Sequence, residues 1–351
     1  MPPKLLLSLI RRLLFGGRRR RGDALIGLLV LVVLLLLLGY FKGHELRSSV
    51  EPVHIGDAPL ERLASPDELE PKRDGRVPAS QEPVVFLMQN VQNYFVDDGE
   101  GRSRHRISLK PIEEREAVAD VIASAKPAVV GLIEIGGPRA LQDLRERLRR
   151  RGLAYPYFVV LIRNGEDRAL GILSQLPIIR NDSQADYPLF GQNRRKMLRG
   201  ILDVTLQAED GRRFRIFGAH LKSRVASDPA AASALRRNEA RTLAMYVNSA
   251  MKKHPSMPVL IFGDWNDGPD DAAVQSFLSN GRDLTRLSPG DSDGQYWTLY
   301  YRRGKEYCTY DQIFVNSVLR KRMSDDCRSG IVDIKATDQA SDHRAVWCEM
   351  R

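Results

Sequence analysis

From residue 83 onward, short apolar runs alternate with amphipathic stretches of helix length. VVFLMQNV (84–91), AVVGLIEI (128–135), YFVVLI (157–162), GILSQL (171–176), ILDVTL (201–206), FRIFGAHL (214–221), PVLIFGDW (258–265), YCTYDQIFV (307–315) and AVWCEM (345–350) read as strands. Residues 112–125, 140–151 and 231–253 read as helices. Strands outnumber helices, several are apolar enough to be buried on both faces, and many are joined by turns too short for a crossover. The pattern predicts an α/β fold built on two packed sheets.

The first 82 residues follow other rules. ALIGLLVLVVLLLLLGYF (24–41) has no charge and no proline; as a helix it would rise roughly 27 Å, about one hydrocarbon core. A core helix would show a polar face, and a cleaved signal peptide would have a shorter apolar region followed by small residues rather than Tyr40, Phe41 and Lys42. An uncleaved signal anchor is expected. Lys4, Arg11, Arg12 and Arg18 to Arg21 precede it and only Lys42 and Arg47 follow closely, so residues 1–23 form a basic cytoplasmic segment and the rest of the chain crosses to the periplasmic or extracellular side. LLLSLIRRLLF (5–15) is amphipathic and too short to span, which suits the inner leaflet surface. Residues 42–82, with five prolines and many acidic residues, read as a flexible linker. Residues 83–351 read as one globular domain.

Charge refines this division. The whole chain is +10 over 351 residues, yet residues 1–42 hold eight Lys/Arg against one Asp, and residues 43–82 hold five basic against nine acidic residues. The domain is left only mildly basic, so the charge does not by itself argue for a nucleic-acid binder. Composition excludes collagen-like, disulfide-scaffold and wholly disordered classes. Three cysteines permit one bridge at most, with Cys308 and Cys327 the most plausible pair and three buried thiols the equal alternative.

Chemistry-bearing residues stand at the ends of the apolar strands: Asn90, Glu134, His220, Asp264 with Asn266, Asp311, and Asp342 with His343. Singly, each has a bland reading as a turn former, cap or core histidine. Their order and surroundings carry more. MQNVQNYF (88–95), GLIEI (131–135), ALGILSQLPI (169–178), GAHLKSR (218–224), IFGDWND (261–267), YDQIFVN (310–316) and SDHRAV (341–346) resemble the endonuclease/exonuclease/phosphatase superfamily over residues 84–349, most closely its bacterial nuclease-like members. The resemblance implies the four-layered, deoxyribonuclease I-like two-sheet sandwich flanked by helices. His220 stands where the superfamily's AP-endonuclease branch usually carries a Tyr motif, and it matches the deoxyribonuclease and sphingomyelinase pattern instead.

The resemblance further implies a metal-dependent phosphodiesterase using Mg²⁺, with Mn²⁺ as substitute. Glu134 is the principal metal ligand, with Asn90 beside it and Asp342 near the metal or its waters. Asp264 activates the attacking water, Asn266 stabilises developing charge, Asp311 fixes the His343 tautomer, and His220 protonates the leaving group, with Asp167 as its expected carboxylate partner. Hard oxygen donors suit that ion, and no Cys/His cluster has zinc spacing. Arg199, Lys222 and Arg224 are the expected substrate-binding residues, the last two lying on one side of an extended chain after His220. The basic groups at 194–196 and 302–305 read equally well as solvated surface. Tyr296 and Trp297 are candidates for base or lipid contact, while Trp265 is better placed as core. Nucleic acid is the expected substrate and the N-terminal helix the expected membrane contact, with no obligate protein partner. The alternatives are a sphingomyelinase-like lipid phosphodiesterase and an inactive, membrane-displayed binding module. The completeness of the residue set argues against the module, and the absence of a long apolar insertion leans away from lipid.

Overall fold

Two six-stranded sheets face one another in the computed structural model, which describes residues 82–97, 108–302, 304–323 and 328–351. The expected span 24–41, the basic segment before it, the linker up to residue 81 and Cys327 lie outside the described residues. Among the described residues no helix is long and apolar enough to cross a membrane.

The first sheet runs β15 (Ser329–Ile331), β16 (Val346–Met350), β1 (Val84–Tyr94), β2 (Val129–Ile135), β4 (Ala169–Ser174), β3 (Tyr157–Leu161). The second runs β11 (Leu284–Arg286), β14 (Asp311–Asn316), β10 (Val259–Asp264), β9 (Arg213–His220), β8 (Leu202–Gln207), β5 (Ile178–Asn181). Each sheet has one parallel pair near its middle, β1 with β2 and β9 with β10. A parallel pair needs a crossover, and the helices α1 (Ile112–Ser124) and α3 (Pro229–Lys253) supply it. The remaining pairs are antiparallel.

Phe262 of β10 shows why the sheets can close on each other. Its ring meets Phe86 of β1 at 5.4 Å between centroids, and a Cβ on Gly131 of β2 or Gly218 of β9 would come within 2.6 or 2.7 Å of it. Only glycine leaves room for that ring. On the outer faces, α1 and α2 (Pro138–Arg150) bury Val118, Ile122, Leu141 and Leu144 against the first sheet, while α3 and α4 (Ala272–Asn280) bury Leu243, Val247 and Phe277 against the second. The layers are therefore helix, sheet, sheet, helix. Trp265 is fully buried at 4.6 Å from Phe277 and 4.9 Å from Phe314, as core.

The expected single strand YCTYDQIFV is two. β13 (Glu306–Cys308) pairs with β12 (Leu299–Tyr301) in a separate hairpin, and β14 begins at Asp311. The break falls where Thr298 Oγ1 accepts from the backbone N–H groups of both Tyr310 and Asp311. A second small hairpin, β6 (Pro188–Leu189) with β7 (Gln192–Lys196), carries Arg194, Arg195 and Lys196. Two short helices, α5 (Ser317–Arg322) and α6 (Thr337–Ala340), complete the described chain.

Candidate active site

Glu134, His220 and Asp264 stand at the C-terminal ends of their strands and Asn90 where the regular β1–β2 ladder breaks off, so the two parallel pairs deliver them to one edge of the sandwich. The register shifts between β1 and β2 after Asn90 and between β2 and β4 around Glu134. Such bulges re-aim side chains out of the regular pleat. Backbone strain concentrates in the same place: Gln92, Asn93, Glu134 and Asn266 have φ of 46°, 52°, 65° and 50°, the left-handed region that residues with a side chain adopt at a cost.

Asp264 is the hub. Its Oδ2 accepts from Asn90 Nδ2 at 3.0 Å and lies 3.7 Å from His220 Nε2 and 3.9 Å from His343 Nε2, while Oδ1 accepts from the Asn266 N–H at 2.8 Å. Asn266 Nδ2 in turn donates to Leu221 O, one residue beyond His220. His343 Nδ1 donates to Asp311 Oδ2 at 2.8 Å, leaving Nε2 to face Asp264 and the Asn90 amide, 3.5 Å away. Ser341 Oγ donates to Asn90 O and accepts from the His343 N–H, locking the terminal Ser-Asp-His turn to β1.

Burial and charge set the protonation of this group. Asp264 is almost fully buried, and that burial, with Asp311 and Glu134 nearby, raises its carboxyl well above the carboxylate range despite His343 and the Asn266 N–H. Burial works against a charged His343, but the charge and hydrogen bond of Asp311, with Asp264 and Asp342, outweigh it and push the ring up to about 10. His220 moves the other way. Burial first, then the charges of Arg199, His343 and Arg168, hold it well below 6.5. Its Nδ1 has no hydrogen-bond partner and its Nε2 sits 3.8 Å from Glu134 Oε1, so the expected pairing with Asp167 is not formed.

Glu134 Oε2 accepts from the Asn93 N–H at 3.0 Å and lies 3.5 Å from Arg168 Nε, which itself donates to Asn93 Oδ1. Asp342 Oδ1 is buried without a hydrogen-bond partner. The side-chain oxygen of Asn90 accepts from the Gln92 N–H, and an amide oxygen can take a second partner. Among the described residues no three His, Cys, Asp or Glu side chains are gathered for a metal. Two carboxylates and an amide, one oxygen buried and unpartnered, nevertheless fit a hard divalent ion that keeps several waters of its own.

The three expected substrate-binding residues differ. Arg199 donates to Leu221 O from Nη1 and has a buried, unpartnered Nε. Lys222 anchors the loop through its backbone N–H, given to Glu239 Oε2 at 2.7 Å. Arg224 donates to Asn266 O and to the carboxylates of Asp267 and Asp271, and Arg236 donates to Asp267 as well, so two guanidinium groups balance the two carboxylates. The β9 strand ends at His220, so Lys222 and Arg224 lie beyond it, outside the regular ladder.

Several supporting residues escape a reading of motifs. Glu239, wholly buried on α3, also accepts from the Leu198 N–H, so one carboxylate holds the segments leading to Arg199 and from His220. Thr298 positions Asp311, and Lys110 is buried close enough to Glu134 and Asp342 to feel their charge. The buried Glu in an amphipathic helix is the one visible signal; nothing local marks Thr298 or Lys110.

The family model described as the Endonuclease/Exonuclease/phosphatase family matches residues 90–343, from the first of these side chains to the last. Among solved structures, the human Nocturnin catalytic domain is similar with a TM-score of 0.55 at 17% identity, covering 77% of this chain and 94% of that one. Zebrafish (D. rerio) TDP2 complexed with single-strand DNA product gives 0.52 at 16%, covering 77% and 100%. Staphylococcus aureus beta toxin gives 0.54 at 16%, covering 76% and 99%. No curated protein sequence matches the chain.

Proposed function

The chain belongs to the endonuclease/exonuclease/phosphatase family, and from that membership and the site's geometry we propose that it is a divalent-metal-dependent phosphodiesterase that cuts nucleic acid. The observation that carries the reading is Asp264: a buried carboxylate, 3.0 Å from Asn90 and under 4 Å from two histidines of opposite protonation tendency. Phosphodiester hydrolysis needs an oriented water, a donor at the developing oxyanion and a proton for the leaving oxygen. Asp264 accepts the proton of the attacking water, and its raised basicity suits that task. His343, held charged by Asp311, and the Asn266 amide donate to the phosphate oxygens as charge builds. His220 faces the same point. It is neutral in the free protein, and a phosphate brought against its ring favours its charged form, from which it gives a proton to the leaving oxygen.

Glu134, Asp342 and the Asn90 amide oxygen would hold Mg²⁺ or Mn²⁺, which when bound supplies charge neutralisation at the non-bridging oxygens. Arg199 and Lys222 add positive charge for flanking phosphates. The apolar 24–41 segment and the basic residues before it support a membrane-anchored enzyme with its catalytic domain outside the cytoplasm.

The test uses the full chain in detergent with Mg²⁺, offered single-stranded DNA, duplex DNA, RNA and sphingomyelin micelles. Nucleic-acid cleavage that stops with chelator and in Asp264→Asn is expected. Hydrolysis of the lipid alone would overturn the nuclease assignment. Protease added to intact spheroplasts should digest the domain; digestion only after lysis would reverse the proposed topology.

A further inference from the structure

The hairpin β12–β13 places a cluster of aromatic rings beside the catalytic turn. Tyr307, 66% exposed, packs its ring 4.9 Å from Trp297 and 4.8 Å from Tyr300, between centroids. The buried Arg344 supports Trp297 from behind, its guanidinium 4.2 Å from the indole centroid and held by Asp291 and Asp333. Tyr296 adds a further ring at 57% exposure. A monomer's surface seldom gathers large rings so closely without use.

Continuity with the catalytic centre is direct. Leu299 bridges to His343, and the Tyr300 N–H donates to Asp342 O at 3.3 Å. Leu299 is buried, whereas Tyr300 and Tyr301 are half-exposed. Arg302 and Lys305 stand exposed at the hairpin tip. The apolar surface is made of tyrosine and tryptophan faces carrying polar atoms, and cations flank it; among the described residues of the hairpin no exposed aliphatic side chain is present to enter lipid.

Resting on the nuclease reading of the same site, we propose that the Trp297–Tyr307–Tyr300 cluster is a stacking platform for an unpaired base next to the scissile phosphate, and that the substrate is single-stranded. A base inside a duplex has both faces covered by its neighbours, whereas a splayed base offers a face to an aromatic ring. Stacking of that kind tolerates any base, so the platform selects for strand state rather than sequence. The tip cations meet the backbone that follows.

The experiment compares the full chain with Tyr307→Ala and Tyr307→Phe. Two readouts are taken: KM for cleavage of a single-stranded oligonucleotide, and anisotropy-monitored binding of the same oligonucleotide with Ca²⁺ replacing Mg²⁺. Tyr307→Ala should raise KM and Kd by roughly five- to hundredfold with kcat nearly unchanged, and Tyr307→Phe should restore both. An otherwise identical oligonucleotide with abasic sites flanking the cleaved bond should bind all three proteins equally. If Tyr307→Ala binds and cleaves the intact oligonucleotide like the parent, the platform is overturned while the nuclease reading stands. If Tyr307→Ala instead loses only micellar lipid hydrolysis, the hairpin faces a membrane and the proposal falls. If the parent cleaves no nucleic acid, the nuclease reading itself fails, and unchanged oligonucleotide binding in Tyr307→Ala would then sink the platform separately.

Discussion

His343 and Asp311 come from opposite sheets, yet His343 Nδ1 lies 2.8 Å from Asp311 Oδ2. Asp311 opens β14 in the second sheet, and His343 sits just before β16 in the first. A single charge-assisted bond therefore reads out whether the two halves of the sandwich are in register. Asp311→Asn keeps the shape but removes the charge that keeps the ring protonated. Turnover should fall on the order of a hundredfold or more with KM little changed, and the His343 ring, followed by NMR, should titrate at lower pH than in the parent protein. Near-normal turnover would separate the pair from the chemistry.

Removing Mg²⁺ with chelator should abolish hydrolysis. Glu134→Gln should reduce activity and recover part of it at high Mg²⁺ or Mn²⁺, because the amide keeps an oxygen donor and loses the charge. Rate against metal concentration checks this: an unshifted metal midpoint would remove Glu134 from the ligand set.

His220→Ala should hurt most where the leaving group is poor. On an ordinary phosphodiester the loss should be roughly hundredfold, and on a nitrophenyl diester much smaller, since an activated phenolate leaves without a proton. Equal losses on both esters would assign His220 to something other than the leaving group.

Glu239 offers a test of support rather than contact. Glu239→Ala strands the N–H groups of Leu198 and Lys222, and stability should drop by about 2–5 kcal/mol in urea denaturation. At temperatures where that variant is folded, kcat should also fall, because the segments leading to Arg199 and away from His220 lose their shared anchor. Glu239→Gln retains one acceptor and should recover part of both. An unchanged kcat would leave Glu239 a purely structural residue.

Stability in acid should depend on Asp143. Arg147 and Arg115 donate to its carboxylate at 2.8–3.0 Å and Tyr94 Oη at 2.7 Å, tying α1, α2 and β1 together. Burial opposes the charge, but the Arg147 and Tyr94 hydrogen bonds prevail and hold its pKa below the ordinary aspartate value. The folded state thus binds this proton less readily than the unfolded chain. The network stabilises above the ordinary aspartate pKa and is lost as pH falls through the depressed one. Thermal melts from neutral pH into acid should show a shallower acid decline for Asp143→Asn than for the parent, from a lower neutral starting point. Parallel declines would take Asp143 out of the acid response.

Strands that must be buried on both faces betray themselves as continuous apolar runs, and chemistry placed at their ends interrupts those runs abruptly. Asn90, Glu134, His220, Asp264 and Asp311 are each visible as a polar residue closing or opening such a segment. Period and length likewise locate α1, α2 and most of α3. The short elements are not legible: β5, β11 and β15 have three or four residues each, too few for any periodicity, and their pairing partners are what make them strands. The break of YCTYDQIFV after Cys308 is invisible for a related reason. Thr298, which lies outside that segment, accepts the N–H groups of Tyr310 and Asp311 that a continuous ladder would have used.

Which residue types stand at which strand ends, and in what order, is written in the chain itself, because burial of a strand is a local demand on composition. Which atoms meet is a matter of the folded arrangement alone: that Asp264 sits among Asn90, His220 and His343, that His220 Nδ1 has no hydrogen-bond partner in place of the Asp167 carboxylate, and that Arg224 is taken up by Asp267 and Asp271. Those outcomes depend on how two twisted sheets and their bulges bring distant segments together, a relation between residues as much as 253 positions apart that no local pattern encodes.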